Sequence, residues 1–173
     1  MQTIQVLREK LEKMADSEHY LFSVNDFYSL FPQKSQEALL MLLGRACRAG
    51  ILERVCRGFY IYPKAPFQKG LLLYHLAARL RVHTFCYLSL ESILSEEGII
   101  SQIPLGCVTL MTSGRSGCIK CGRFGRIEFT HTKKSYLDIE NKLTFDFRYK
   151  LWRASAQLAL MDYKDVRRQE KLL

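Results

Sequence analysis

Four groups of residues have types and spacings with chemical potential. Cys118-Ile119-Lys120-Cys121 has the gap of a zinc half-site. Tetrahedral zinc takes four ligands, and only Cys107 and His131 stand near this pair in sequence. The expectation is a glycine-rich hairpin with two incidental thiols and no bound metal. Redox use of the pair is weakly supported, since no helix N-terminus follows to lower a thiol pKa. Glu91 and Glu128 would suit a metal-dependent nuclease pair, but Ile127-Glu128-Phe129-Thr130 has no lysine two residues after the acid. His83 and His131 have no serine or cysteine arranged beside them as a nucleophile. No Walker-type or dinucleotide-type phosphate loop occurs. The chain is therefore expected to be no enzyme and to need no cofactor.

Cations are the chemistry that remains. The 173 residues include 26 Lys/Arg and 17 Asp/Glu, a formal net charge of +9, which favours a polyanionic partner. One polar and basic group comprises Gln33, Lys34, Ser35 and Gln36, followed by Arg45, Arg48, Arg54 and Arg57. A second comprises Arg115, Lys120, Arg123 and Arg126, with Lys133-Lys134 after it. Arg148, Lys150, Arg153, Lys164, Arg167, Arg168 and Lys171 decorate the C-terminal stretch. Residues 1–66 hold 9 basic and 7 acidic residues, so most of the surplus lies beyond them.

The elements that must position these groups follow from periodicity. Ile4, Leu7, Leu11 and Met14 recur at helical spacing. Ser23 is an N-cap candidate, with Asp26 at the third helical position, for a short helix with Val24, Phe27, Tyr28 and Phe31 on its apolar side. Phe31-Pro32-Gln33 breaks it. Ser35 then caps a helix with Leu39, Leu42, Leu43 and Ala46 on one side, and Gly50 suits its left-handed end. A hairpin follows from Ile51 to Tyr62, with Gly58 relieving the turn.

This order reads as a winged helix–turn–helix, whose second helix enters a DNA major groove. Gln can pair with adenine, Ser can meet a base or phosphate, and Lys chiefly meets phosphate. Arg45 and Arg48 would reach the backbone, and Arg54 and Arg57 lie in the wing. Double-stranded DNA is thus the leading partner. The same charges also suit a small structural domain. Leu40 and Met41, on the outer face of the second helix, suit a protein contact.

Pro63-Lys64-Ala65-Pro66 is the expected domain boundary. Beyond it, helices are expected over residues 68–80 and from Ser89, as N-cap, to Glu97, with Gly98 as the stop. Strands follow at 107–112, around 118–120, at 126–132 and at 143–147, and a last helix covers 149–171. The fold class is α/β (α+β): a winged helix–turn–helix domain over residues 1–63 and a mixed α/β domain over 67–173. The N-terminus carries no apolar signal core, and no apolar run approaches the roughly 20 residues of a membrane span. Six cysteines without a secretory signal are expected to be reduced thiols in a cytoplasmic protein.

Three blocks carry a family resemblance. Arg45-Ala46-Cys47-Arg48-Ala49-Gly50-Ile51-Leu52-Glu53-Arg54-Val55-Cys56-Arg57-Gly58-Phe59-Tyr60 resembles the core of AbiEi-family antitoxins. Tyr87-Leu88-Ser89-Leu90-Glu91-Ser92-Ile93-Leu94, followed by Gly98-Ile99-Ile100, and Arg126-Ile127-Glu128-Phe129-Thr130-His131 are similar to later segments of that family, in the family order. The resemblance implies an antitoxin of a type IV toxin–antitoxin or phage-defence pair. It would repress its own promoter at inverted repeats through the N-terminal domain. Its C-terminal domain would counteract a nucleotidyltransferase-like AbiEii-family toxin, generally without a stable complex. The chain is shorter after the last block than many relatives. In that reading Arg115, Lys120, Arg123 and Arg126 form a nucleic-acid or antitoxic surface. A winged-helix transcriptional regulator with a ligand-sensing or dimerising C-terminal domain is the alternative, and a non-DNA adaptor a third.

Overall fold

The computed structural model describes residues 2–101 and 105–170, which include helices and two sheets, a mixed α+β composition. The chain divides between Lys69 and Gly70 into two compact units.

In the first unit, α1 (Gln2–Met14) is followed by β1 (Leu21–Ser23), α2 (Val24–Leu30), α3 (Gln36–Arg48), β2 (Glu53–Cys56) and β3 (Phe59–Ile61). Ser23 ends β1 and starts α2 with a reciprocal capping box. Its hydroxyl accepts from the Asp26 amide at 3.3 Å, and the Asp26 carboxylate accepts from the Ser23 amide at 2.7 Å. Ser35 caps α3 by accepting from the Ala38 amide at 3.2 Å. Leu39, Leu42, Leu43 and Ala46 line its buried side, against a core that includes Leu7, Leu11 and Phe27. Met14, expected on the apolar side of α1, is 39% exposed, because it stands at the helix end. The three strands form an antiparallel sheet in the order β1-β3-β2. Gly58 turns the hairpin with φ 80°, a conformation that favours glycine.

The second unit contains α4 (Leu72–Leu80), β4 (Cys86–Leu88), α5 (Glu91–Glu96), β5 (Cys107–Thr112), β6 (Gly117–Lys120), β7 (Arg126–His131), α6 (Tyr136–Ile139), β8 (Leu143–Asp146), β9 (Leu151–Ala154) and α7 (Ala156–Glu170). Its six-stranded sheet has the order β6-β7-β5-β4-β9-β8. The pairs β4–β9 and β5–β7 are parallel, and the other three are antiparallel. All six residues of β5 are buried, as a central strand of a sheet covered on both faces requires.

Three further expectations need correction. Residues 151–154 are a strand and not the start of the last helix, because their backbone pairs with β4 on one side and β8 on the other. These ladder bonds override a helical pattern that is continuous in sequence. The expected helix end, Lys171, and the side chain of Arg168 lie outside the described residues. Ser89 is not the cap of α5. Leu90 holds that position with φ 56° and ψ −138°, and the Ser89 hydroxyl points elsewhere. Residues 69–71 form one tighter 3-10 turn before α4 begins at Leu72. Among the described residues, no helix is long and apolar enough to cross a membrane.

Candidate nucleic-acid interface

On α3 the inward side is fixed by Leu39, Leu42, Leu43 and Ala46, so the residues between them face out. Gln33, Ser35, Gln36, Arg45 and Arg48 are exposed and Lys34 is half-buried. Lys34, Ala38, Leu40, Met41, Gly44, Arg45 and Arg48 line one shallow groove of about 700 Å³. From Gln36 to Arg48 the helix runs about 18 Å at 1.5 Å per residue. The groove thus has a cation at its N-terminal end, two at its C-terminal end, and an apolar centre where Leu40 is 44% and Met41 68% exposed.

The hairpin adds two cations of unequal freedom. Arg57 is exposed at the β2–β3 turn. Arg54 lies back along its own strand, with Nε donating to the Cys56 carbonyl at 3.3 Å. Among the described residues, Lys34, Arg45, Arg48 and Arg57 have no carboxylate within salt-bridge distance. Four uncompensated cations and a helix N-terminus with its free amides make this surface attractive to phosphate.

The second basic group is split. Lys120 and Arg126 are register partners across β6 and β7, and Arg123 lies on the 3-10 turn between them, 4.6 Å over the Phe124 ring. Arg115 precedes β6 and stands at the other end of the strand pair, more than about 10 Å away along the strands. Arg126 is already paired, its Nε donating to Glu128 at 2.6 Å. That hydrogen bond is the main reason its pKa is raised. Lys134 and Arg153 are held as well, the first by Asp162 and Asp165, the second by Glu96 and Glu97. Much of the apparent basic surface is thus internally compensated.

Cys118 is exposed on β6, whereas the Cys121 thiol is buried and donates to the Ile119 carbonyl at 3.6 Å. Among the described residues, no group of three or more His, Cys, Asp and Glu side chains is placed to hold a metal ion. Burial, then the Glu128 charge, push the Cys107 thiol up to about 11, far from a reactive thiolate.

Sequence reasoning missed a buried polar network in the second unit. Tyr87 and Ser89 both donate to Asp162, at 3.0 and 2.7 Å, and the Lys134 ammonium donates to its other oxygen at 2.7 Å. Beside them the Thr109 hydroxyl donates to the Ser89 carbonyl at 2.8 Å, and the Ser92 hydroxyl accepts from the Thr109 amide at 2.8 Å. The one available sequence signal was the cluster of hydroxyls in Tyr87-Leu88-Ser89-Leu90-Glu91-Ser92. Every one of these donors has an acceptor, and so the network reads as a positioning frame for the β4–α5 corner.

No protein-family model matches the chain, and no curated protein matches it either.

Proposed function

We propose that the first unit is a winged helix–turn–helix that binds double-stranded DNA, and that the chain is an autorepressing antitoxin of a type IV toxin–antitoxin pair. In this reading α2 and α3 are the helix pair, β2–β3 is the wing, and α3 enters the major groove. The observation that carries the DNA part is the set of uncompensated cations on α3, the turn before it and the neighbouring hairpin: Lys34, Arg45, Arg48 and Arg57. Gln33 and Gln36 would read base edges, Ser35 would donate to a phosphate, and exposed Met41 would meet thymine methyls. Arg54 contributes less, since part of its donor fork is spent on its own hairpin.

The antitoxin part rests on the three sequence blocks that resemble the AbiEi family. The partner they imply is a nucleotidyltransferase-like toxin opposed through the second unit. Lys120, Arg123 and Arg126 remain a candidate surface there, and Arg115 would act separately from them.

Two assays test the reading. Duplex DNA from upstream of the gene should bind in a gel shift, with affinity that falls steeply with salt. Co-expression with the neighbouring gene should restore growth that the neighbour alone suppresses. Duplex binding without rescue would favour the winged-helix regulator over the antitoxin, and absence of duplex binding would remove the regulator and the autorepression, with rescue alone deciding the antitoxic part. In the latter case the exposed Leu40 and Met41 favour a protein partner for α3.

A further inference from the structure

A second surface carries chemistry that α3 does not explain. At the β8 edge of the six-stranded sheet, aromatic rings run together on one face. Phe145 and Trp152 are register partners with ring centroids 5.4 Å apart at 78°. Tyr136 from α6 leans on Trp152 at 5.2 Å, and Phe147 in the β8–β9 turn stands edge-on to Phe145 at 5.1 Å. Phe85 completes the row, 5.8 Å from Tyr136.

A core would bury these rings. Here Phe147 is 84% exposed, Tyr136 is 36% exposed, and Phe145 and Trp152 are half-buried. In a T-shaped pair the edge of one ring meets the face of the other, and it is the exposure of Phe147 that offers ring surface to a flat ligand. A cavity of about 420 Å³ opens beside Phe85, Phe145 and Trp152, and Arg81, His83 and Lys150 also line it. Arg148 is exposed next to Phe147. The neighbouring carboxylate, Asp146, accepts the Arg148 and Tyr149 amides of its own turn at 2.9 and 3.1 Å. The unit that carries this surface holds 16 Lys/Arg against 10 Asp/Glu, a net of +6.

We infer that this aromatic row binds single-stranded nucleic acid, with unpaired bases stacked on Phe147, Phe145 and Trp152 and the backbone phosphates met by Arg148 and Lys150. Exposed and half-exposed rings with flanking cations match bases strung on phosphates. An aliphatic protein surface would need neither. A duplex hides its base faces, so this site is distinct from the proposed α3 interface and does not depend on it.

Trp152 is the chain's single tryptophan, so its emission reports on this site directly. The experiment titrates full-length protein with a short oligo-uridine or oligo-thymidine strand. Emission should fall saturably, and a duplex of matching length should not reproduce the fall. Phe147→Ala, at an exposed turn position that should not disturb folding, should weaken single-strand binding about ten-fold. Arg148→Glu should weaken it too and flatten its salt dependence. Unchanged Trp152 emission at saturating strand, or equal affinity in Phe147→Ala, would overturn the inference. So would a concentration-dependent dimer abolished by Phe147→Ala, which would make the row a contact between copies of the chain. Failure of duplex binding alone would count against the proposed α3 interface and leave this site standing.

Discussion

Ser89 donates a 2.7 Å hydrogen bond to Asp162 across 73 residues of sequence, and both side chains are fully buried. This bond ties the end of β4 to α7, and the same carboxylate receives Tyr87 and Lys134. A buried carboxylate persists only when its charge is matched and its lone pairs are filled. Here Lys134 supplies the charge and the two hydroxyls supply the rest.

Asp162→Ala should therefore be among the most damaging single changes in the second unit. It takes the acceptor from two buried hydroxyl donors and one of the two carboxylates from Lys134, which keeps Asp165 at 3.0 Å, and the expected loss is about 3 kcal/mol. Asp162→Asn keeps the shape and one acceptor oxygen and should cost roughly half as much. Urea unfolding of the three proteins measures both. A midpoint for Asp162→Ala equal to that of the unaltered chain would mean the network is not a frame for β4 and α7.

Alkaline pH should loosen the second unit. Burial first, then the hydrogen bond to Glu96, push the Tyr149 hydroxyl from its ordinary 10.0 to about 12. Cys107 is raised from 9.0 to about 11. Both folded values exceed the unfolded ones, so the native state keeps protons that the unfolded chain gives up. Their contribution is complete below about pH 9 and is lost as pH rises through about 11 and 12. Lys134 acts in the same direction: burial opposes its charge, but Asp162 and Asp165 outweigh it and raise its pKa. Urea midpoints should be level from neutrality to about pH 9 and then decline. Tyr149→Phe should shallow the decline, and an identical slope in that variant would show that Tyr149 has no part in it.

Local signals in the sequence reached as far as local physics does. Ser23 with Asp26, and Ser35 before Gln36, are caps that a short window contains in full, and both form as the residue types require. Leu39, Leu42, Leu43 and Ala46 mark the buried side of α3 by spacing alone. Ser89 shows where such reading ends. It looks like a cap because a helix follows, yet its hydroxyl answers to Asp162 far along the chain. Residues 151–154 fail for the same reason, since their strand exists only through partners in β4 and β8. Lys134, Arg126 and Arg153 count as positive charge in a composition and as neutralised pairs in the fold. The aromatic row was invisible because Phe85, Tyr136, Phe145 and Trp152 meet only across the sheet.

Gly125 should tolerate no side chain. Its φ of 115° favours glycine, and a Cβ there would sit 1.9 Å from the Gly106 carbonyl oxygen. That carbonyl already accepts from the Arg126 amide at 2.8 Å, where β5 and β7 begin. Gly125→Ala must move backbone and should cost more than about 3 kcal/mol. Gly122→Ala is the control: its φ of 54° strains alanine, but nothing lies within 4 Å, and about 1 kcal/mol is expected. Thermal unfolding of the pair should separate them clearly. Equal losses would mean that conformation alone, and not the approach of Gly106, sets the cost.

The α3 face offers a test in which stability and binding should move in opposite directions. Gly44 is a mid-helix glycine, and a methyl added there would meet nothing within 4 Å, so Gly44→Ala should stabilise the first unit by about 0.5–1 kcal/mol. It also lies in the groove between Leu40, Met41 and Arg45. If that groove receives duplex DNA as proposed, the added methyl occupies space that the duplex must approach, and affinity should fall as stability rises. Lys34→Ala and Arg57→Ala should leave stability within about 0.5 kcal/mol. Each should lower the slope of log affinity against log salt by about one. Arg126→Ala, whose charge is spent on Glu128, should change that slope far less. Affinity and slope can be read together by fluorescence anisotropy at several salt concentrations. A slope indifferent to Lys34 and Arg57 would detach α3 and its hairpin from DNA, and unaltered affinity in the stabilised Gly44→Ala would place the contact away from this groove.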